Sequence, residues 1–236
     1  MAYEWRLEVI LHNFDEVDIM FDPAWKHIAI SVSGGADSAL LTYQLCTLVK
    51  DTTIHIISNV RMWKTRPWQK YNSLSVFDYF VKKFPNIKFV RHEGFIPPEF
   101  EGLQLGPKTG NQITTRSYAE YICIKEGVSA FYAGDTLNPA DVTGGPVDRN
   151  IGTSTMQSIK EHLGGFACQP YSTVHKDYVV SQYKKFNLWE LFDITRSCEG
   201  EFENLDYSNY KPWQPVPICG KCFWCRERQW GIDNAK

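Results

Sequence analysis

From residue 26 to about residue 194, short β-branched runs alternate with longer stretches whose apolar residues fall at helical spacing, and this alternation restricts the fold more than any other feature of the chain. Lys26–Ser33, Thr52–Ser58, Ile87–Arg91 and Ala130–Ala133 predict strands, with another near Phe166–Gln169. Between them, Ser38–Val49 carries Leu40, Leu41, Leu45 and Leu48, residues 70–84 carry Leu74, Phe77, Val81 and Phe84 before Pro85, and Gln112–Glu126 closes at Gly127; each predicts a helix. Further helices are expected at about 175–186 and 188–193. Strands separated by helices of this length pair in parallel through right-handed crossovers, so the expected class is α/β with a doubly wound, mainly parallel sheet. Such sheets bind ligands outside the carboxyl ends of their strands, so the residues just after each strand matter most.

The segments outside this alternation are 1–25, with helical character around Trp5, Leu7, Val9 and Ile10 and no assignable role, and 196–236, which holds Pro212, Pro215, Pro217 and four of the seven cysteines. Residues 26–195 form the sheet domain, and 196–236 reads as an appendage on it. A net charge of −2 and a pI near 6.3 give no broad basic field, so a nucleic-acid partner is not expected directly. No apolar run approaches the roughly 18 residues of a membrane span. Met1–Ile10 lacks the basic flank and apolar stretch of a secretory signal. An odd cysteine count without an export signal argues for a reducing, cytoplasmic setting over a disulfide framework.

Ser33-Gly34-Gly35-Ala36-Asp37-Ser38 joins the first predicted strand to the first helix. It is neither GxxxxGK[ST] nor GxGxxG. Two adjacent glycines let backbone N–H groups approach an anion, and the helix start adds partial positive charge. Asp37 and Ser38 can cap that helix, or Asp37 can hold magnesium through a carboxylate oxygen.

Cys198, Cys219, Cys222 and Cys225 have the spacing C-x20-C-x2-C-x2-C. Three thiolates two residues apart fold around one ion, and a fourth from upstream completes a closed, structural four-thiolate zinc site. An iron–sulfur cluster uses the same pattern, and free thiols are the third reading. Cys46, Cys123 and Cys168 fall in helical or strand patterns and read as core residues.

The Ser33–Ser38 segment resembles the SGGxDS loop of the PP-loop ATP pyrophosphatases, whose fold is adenine nucleotide alpha hydrolase-like. The resemblance implies ATP and magnesium as cofactors and cleavage between the α and β phosphates. Paired with Thr195-Arg196-Ser197-Cys198 and Cys219-Gly220-Lys221-Cys222-x2-Cys225-x2-Arg228, it resembles the 7-cyano-7-deazaguanine synthases (QueC/ExsB family), with TWSC and CGxCxxCxxR motifs. That family's reaction adenylates 7-carboxy-7-deazaguanine for attack by ammonia and then dehydrates the amide to a nitrile, a ligase activity feeding queuosine and 7-deazaguanine products. Its members also suggest a homodimer.

By this resemblance Ser33, Gly34, Gly35 and Ser38 bind pyrophosphate, Asp37 holds magnesium and Asp135 is the second candidate. Lys176 and Arg116 neutralise charge on the transferred phosphate. The Ser58-Asn59-Val60 segment falls near adenine. Arg61–Trp68, Arg116-Ser117 in place of Arg-Asn, and the long Cys198–Cys219 gap depart from the family, so the acceptor side is less matched than the ATP side. Trp63, Trp68, Trp213 and Trp224 lie in loops where a flat ligand can stack, and exposed hydrophobes at loop bases or a dimer contact explain them equally well. A PP-loop tRNA or nucleobase thiolase is the competing reading, together with a related ATPase acting on another acceptor.

Overall fold

The computed structural model describes residues 10–62, 68–97, 115–146, 156–158, 165–200 and 218–236. An antiparallel hairpin opens it, β1 (Leu11–Phe14) and β2 (Val17–Met20), turning at Asp15 with φ 58°. There follow β3 (His27–Ser31), α1 (Ala36–Leu48), β4 (Thr53–Arg61), α2 (Gln69–Lys83) and β5 (Phe89–Ile96). The second half contributes α3 (Thr115–Glu126), β6 (Ala130–Tyr132), β7 (Met156–Ser158) and β8 (Phe166–Cys168). The chain closes with α4 (Lys176–Lys185), α5 (Trp189–Ile194) and α6 (Phe223–Asn234).

Six strands form one sheet in the order β5-β4-β3-β6-β8-β7. Five run parallel, and β7 joins the edge antiparallel to β8. From β3 the chain winds to one side through β4 and β5, then returns to the other through β6 and β8, so the expected doubly wound, mainly parallel α/β sheet is present. The reversal of strand order falls between β3 and β6, and a crevice opens beyond their carboxyl ends.

Being covered on both faces, β3 and β4 are almost wholly apolar or buried: Ile28, Ala29 and Ile30 have no exposed surface. Helix α1 is buried around most of its circumference, which is why its apolar residues do not keep to one stripe. Its buried polar groups are matched: Gln44 Oε1 accepts from the Tyr171 hydroxyl (2.5 Å), and the carbonyl of Ala36 accepts from the Tyr183 hydroxyl (2.8 Å).

Three features differ from the sequence reading. Residues 11–20 form a hairpin instead of continuing helical character; Val17, Ile19, Met20 and Phe21 enter the main core, and the hydroxyl of Tyr132 donates to the carbonyl of Met20. Trp5, Leu7 and Val9 lie outside the described residues. The cysteine-bearing tail ends in a three-turn helix, α6, packed beside α4. The third is the antiparallel edge strand β7. Cys46, Cys123 and Cys168 are buried, as expected, and burial pushes the thiols of Cys123 and Cys168 up to about 12. Among the described residues no helix is long and apolar enough to cross a membrane.

Candidate active site

The loop after β3 turns at Gly34, whose φ of +87° is one that side-chain-bearing residues rarely adopt. A Cβ there would stand 2.5 Å from Asn72 Cβ of α2, so glycine is demanded by space as well as by conformation. Gly35 is the N-cap of α1, and no side chain caps it. The amides of the first turn therefore open on the crevice with their partial positive charge. Asp37 and Ser38 lie inside that turn and do not cap it, contrary to one reading of the sequence. The Ser38 hydroxyl donates back to the Gly35 carbonyl at 3.3 Å, and Ser33 Oγ accepts from the Gly35 amide at 3.4 Å.

Asp37 faces two ways. Its Oδ2 pairs with the ammonium of Lys176. Its Oδ1 is buried and makes no hydrogen bond among the described residues, an orphaned oxygen of the kind a divalent cation satisfies. Lys176 is the first residue of α4 and only 2% exposed. Its Nζ lies 3.4 Å from Oε2 of Glu227, a fully buried residue of α6. The three residues come from three helices, and two carboxylates flank one ammonium.

The loop after β6 meets the loop after β3 directly: a Cβ on Gly134 would lie 3.1 Å from the backbone of Asp37. Together they floor a cavity of about 490 Å³, lined also by Asp135, Asn59 and Arg61 from β4, Gln69 and Asn72 from α2, and Arg196–Glu199. Trp224 of α6 closes one wall. Ser33, Gly35, Asp37, Ser38, Asp135 and Lys176 thus share this one cavity. Arg116 lies in the first turn of α3, and its side chain falls outside the described residues. Of the four tryptophans singled out, Trp224 reaches the cavity and Trp68 is buried in packing; Trp63 and Trp213 lie outside the described residues.

The structure adds residues that the sequence reading did not assign. Arg196 donates its amide to the carbonyl of Gly34 (2.8 Å), tying the cysteine segment to the glycine turn, and its buried Nε makes no hydrogen bond among the described residues. Arg61 pairs with Glu199 at 3.6 Å and leans on Gln69 at 3.4 Å. The one signal for Arg196 was its place two residues before Cys198. Nothing in the sequence singled out Asn72 or Glu227.

The sulfurs of Cys198, Cys219, Cys222 and Cys225 lie within 4.8 Å of one another. The Cys222 and Cys225 sulfurs are 3.4 Å apart, and Cys219 and Cys225 are 3.9 Å apart. The amides of Lys221 and Cys222 point at the Cys219 sulfur (3.4 and 3.3 Å), and that of Cys219 at the Cys198 sulfur (3.4 Å). Hydrogen bonds from Cys198 and Cys225 hold the Cys222 thiol well below its ordinary range. The same shared protons push Cys198 up to about 11 and raise Cys225. Four thiolates cannot coexist at these distances without a cation, so the residues present fit a metal centre. Arg228 fastens this unit to the sheet domain, donating to Thr195 Oγ1 and to the Phe192 carbonyl, each at 2.8 Å, while its guanidinium lies 3.7 Å over the Phe192 ring.

No protein-family model and no curated protein matches the chain. Among solved structures it is similar to the U34-tRNA thiolase NcsA from Methanococcus maripaludis with its [4Fe-4S] cluster, at 16% identity and a TM-score of 0.47 over 88% of this chain. The chain spans 64% of the length of that thiolase.

Proposed function

We propose that this protein is an enzyme of the PP-loop ATP pyrophosphatase type, which joins AMP to an oxygen of an acceptor and then lets a nucleophile displace the AMP. One observation carries the reading: Ser33 and Gly35 of the glycine loop, Asp37 and Ser38 in the uncapped first turn of α1, and the buried Lys176 all line one cavity, whereas Gly34 makes the turn without lining it. In the first step an acceptor oxygen attacks the α-phosphorus, the bond to the bridging oxygen of the β-phosphate breaks, and pyrophosphate leaves. Ser33, Gly34, Gly35 and Ser38, with the first amides of α1, hold the departing diphosphate. The ammonium of Lys176 meets the charge that grows on it, and Arg116 has the same role by resemblance. Magnesium, when bound, adds charge neutralisation at the phosphates, and Asp37 Oδ1 is the atom to hold it, with Asp135 the second candidate.

The acceptor we favour is the carboxylate of 7-carboxy-7-deazaguanine with ammonia as nucleophile, on the pairing of the Ser33–Ser38 loop with the Cys198–Cys225 pattern. A second reading, sulfur transfer to a nucleobase, is favoured by one observation: Cys198 itself lines the cavity, so sulfur chemistry at the cluster would open on the adenylated group. For the metal we favour zinc. Tetrahedral bonds of about 2.3 Å would put sulfurs roughly 3.8 Å apart, against spacings of 3.4, 3.9 and 4.0 Å and an upper bound of 4.8 Å here, whereas a [4Fe–4S] cluster would hold each cysteine on a different iron and spread them further. On this reading residues 26–195 form the ATP-binding domain and 196–236 its metal-binding segment, in a cytoplasmic enzyme whose partners are small molecules.

The test is a product analysis. Purified protein given ATP, magnesium, ammonium and 7-carboxy-7-deazaguanine is expected to yield AMP, pyrophosphate and the nitrile. Turnover that needs tRNA and a sulfur donor establishes the thiolase reading instead, and ADP as the sole nucleotide product rejects both. Elemental analysis of the same sample separates zinc from iron.

A further inference from the structure

Helix α6 touches Lys176 at two points. Glu227 meets the head of the side chain, with Oε2 3.4 Å from Nζ. Gly231, one turn further along the same helix face, meets the stem: a Cβ there would lie 2.5 Å from Lys176 Cγ and 3.0 Å from Lys176 Cβ. The absence of a side chain at Gly231 lets α6 sit directly on the lysine, and the turn N-terminal to it delivers the carboxylate. Both Lys176 and Glu227 are withdrawn from solvent, at 2% and 0% exposure. A flexible four-carbon side chain is thereby fixed at both ends, with its ammonium aimed at Asp37 in the glycine-loop helix.

We infer that Glu227 is the positioning residue of the phosphate site, holding the Lys176 ammonium where the departing diphosphate needs it, and that the cysteine-anchored helix is in this way a working part of that site. The inference deepens the nucleotide reading given above and rests on it. Glu227 touches neither nucleotide nor metal in this role. It acts through Lys176, and Cys222 and Cys225 act by fixing the start of the helix that carries it.

The inference is tested on the full-length, metal-loaded protein by calorimetric binding of magnesium pyrophosphate and, separately, of AMP. Glu227→Ala is expected to weaken pyrophosphate binding about tenfold, through loss of the buried ion pair that aims the ammonium, while AMP binding stays within about twofold. Glu227→Gln keeps a carbonyl acceptor for the ammonium and is expected to bind pyrophosphate within about threefold of wild type. Gly231→Ala, which pushes on the lysine stem, is expected to repeat the selective loss at about threefold or more. Metal content measured alongside should not change.

Glu227→Ala with wild-type pyrophosphate affinity, or with equal losses for pyrophosphate and AMP, overturns the positioning role. If Glu227→Ala fails to fold, Gly231→Ala decides alone, and unaltered pyrophosphate affinity there overturns the role in the same way. A wild-type protein that binds neither magnesium pyrophosphate nor magnesium ATP overturns the nucleotide reading itself, and is thereby distinguished from a failure confined to Glu227.

Discussion

Two polar clusters are sunk into the same sheet, one beyond the carboxyl ends of its strands and one across their amino halves. In the first, Asp37, Lys176 and Glu227 bring two carboxylates to one ammonium. In the second, His27, His55 and His92 step diagonally across β3, β4 and β5. His27 Nδ1 lies 3.0 Å from His55 Nε2, and His55 Nδ1 lies 2.9 Å from His92 Nε2. Imidazoles in the neutral form, each with one N–H to give and one nitrogen to receive, can satisfy both bonds without any charge. Burial, and then His92, push His55 down to about 4, and burial likewise lowers His92. The fold thus offers two ways to keep polar side chains in a core: neutralise them, which costs little, or balance full charges, which costs desolvation that packing could have avoided. The charged cluster is the one that opens on the cavity, through Asp37 and Lys176, and it is the one proposed above to serve the phosphate.

The sharpest way to break this contrast is Lys176→Met. If the ammonium serves the departing phosphate, ATP turnover should fall about 10²–10³-fold, the range for losing one preorganised electrostatic group. Stability should fall as well, because the fully buried Glu227 loses the ammonium of Lys176. Adding Glu227→Leu to Lys176→Met removes that carboxylate and should return the stability while turnover stays lost. Denaturant melts and pyrophosphate release measured on both variants check this. A single variant with normal turnover would put the cluster on the same footing as the histidine row.

A smaller effect is expected at the metal centre, which fixes the start of the helix bearing Glu227. Cys222→Ser should lower metal content and reduce the melting temperature by about 10 °C, the consequence of giving up several kcal/mol of metal-coupled folding energy in a chain of this size. Thermal melts with parallel metal analysis read it. An unchanged melt with normal metal would mean that three sulfurs suffice.

What could be read from the sequence divides along the same line as local and non-local interactions. The β3-to-α1 loop was legible because Gly34 answers to a local backbone demand, and the order of α1 to α5 because each is a run long enough for a helix between short β-branched segments. The four cysteines were legible because close spacing itself is the chemistry. The hairpin at 11–20 was not, since two strands of four residues are too short to show a period and its turn depends on one residue, Asp15, in the left-handed region. Lys176 was visible through a family resemblance, as a lysine at a helix start assigned to the phosphate. That it is clamped by Glu227 and Gly231, more than fifty positions away, depends on how α6 packs, and no periodicity encodes that. The histidine row becomes visible only once the parallel register sets His55 beside Ala29 and His92 beside Ile57.

That register also yields the smallest and cleanest prediction. His55 is lowered from 6.5 to about 4 in the folded protein, so between these values the unfolded chain binds the extra proton more readily than the folded one. The sign follows: stability is intact above about pH 6.5 and is lost progressively as the pH falls toward 4, with His92 contributing in the same direction. His55→Gln keeps a side chain able to give and accept a hydrogen bond but cannot titrate. Its melting temperature should therefore fall less than that of wild type between pH 7.5 and pH 5, by about 3 °C for each kcal/mol of histidine-linked destabilisation removed. His27 and His92 and the charged neighbours Glu126, Lys88 and Lys125 are present in both proteins, so the difference between the two melts isolates the central imidazole. Identical pH slopes would mean that His55 is protonated in the folded state without penalty, and the row would then be a charged cluster like the one at the other end of the sheet.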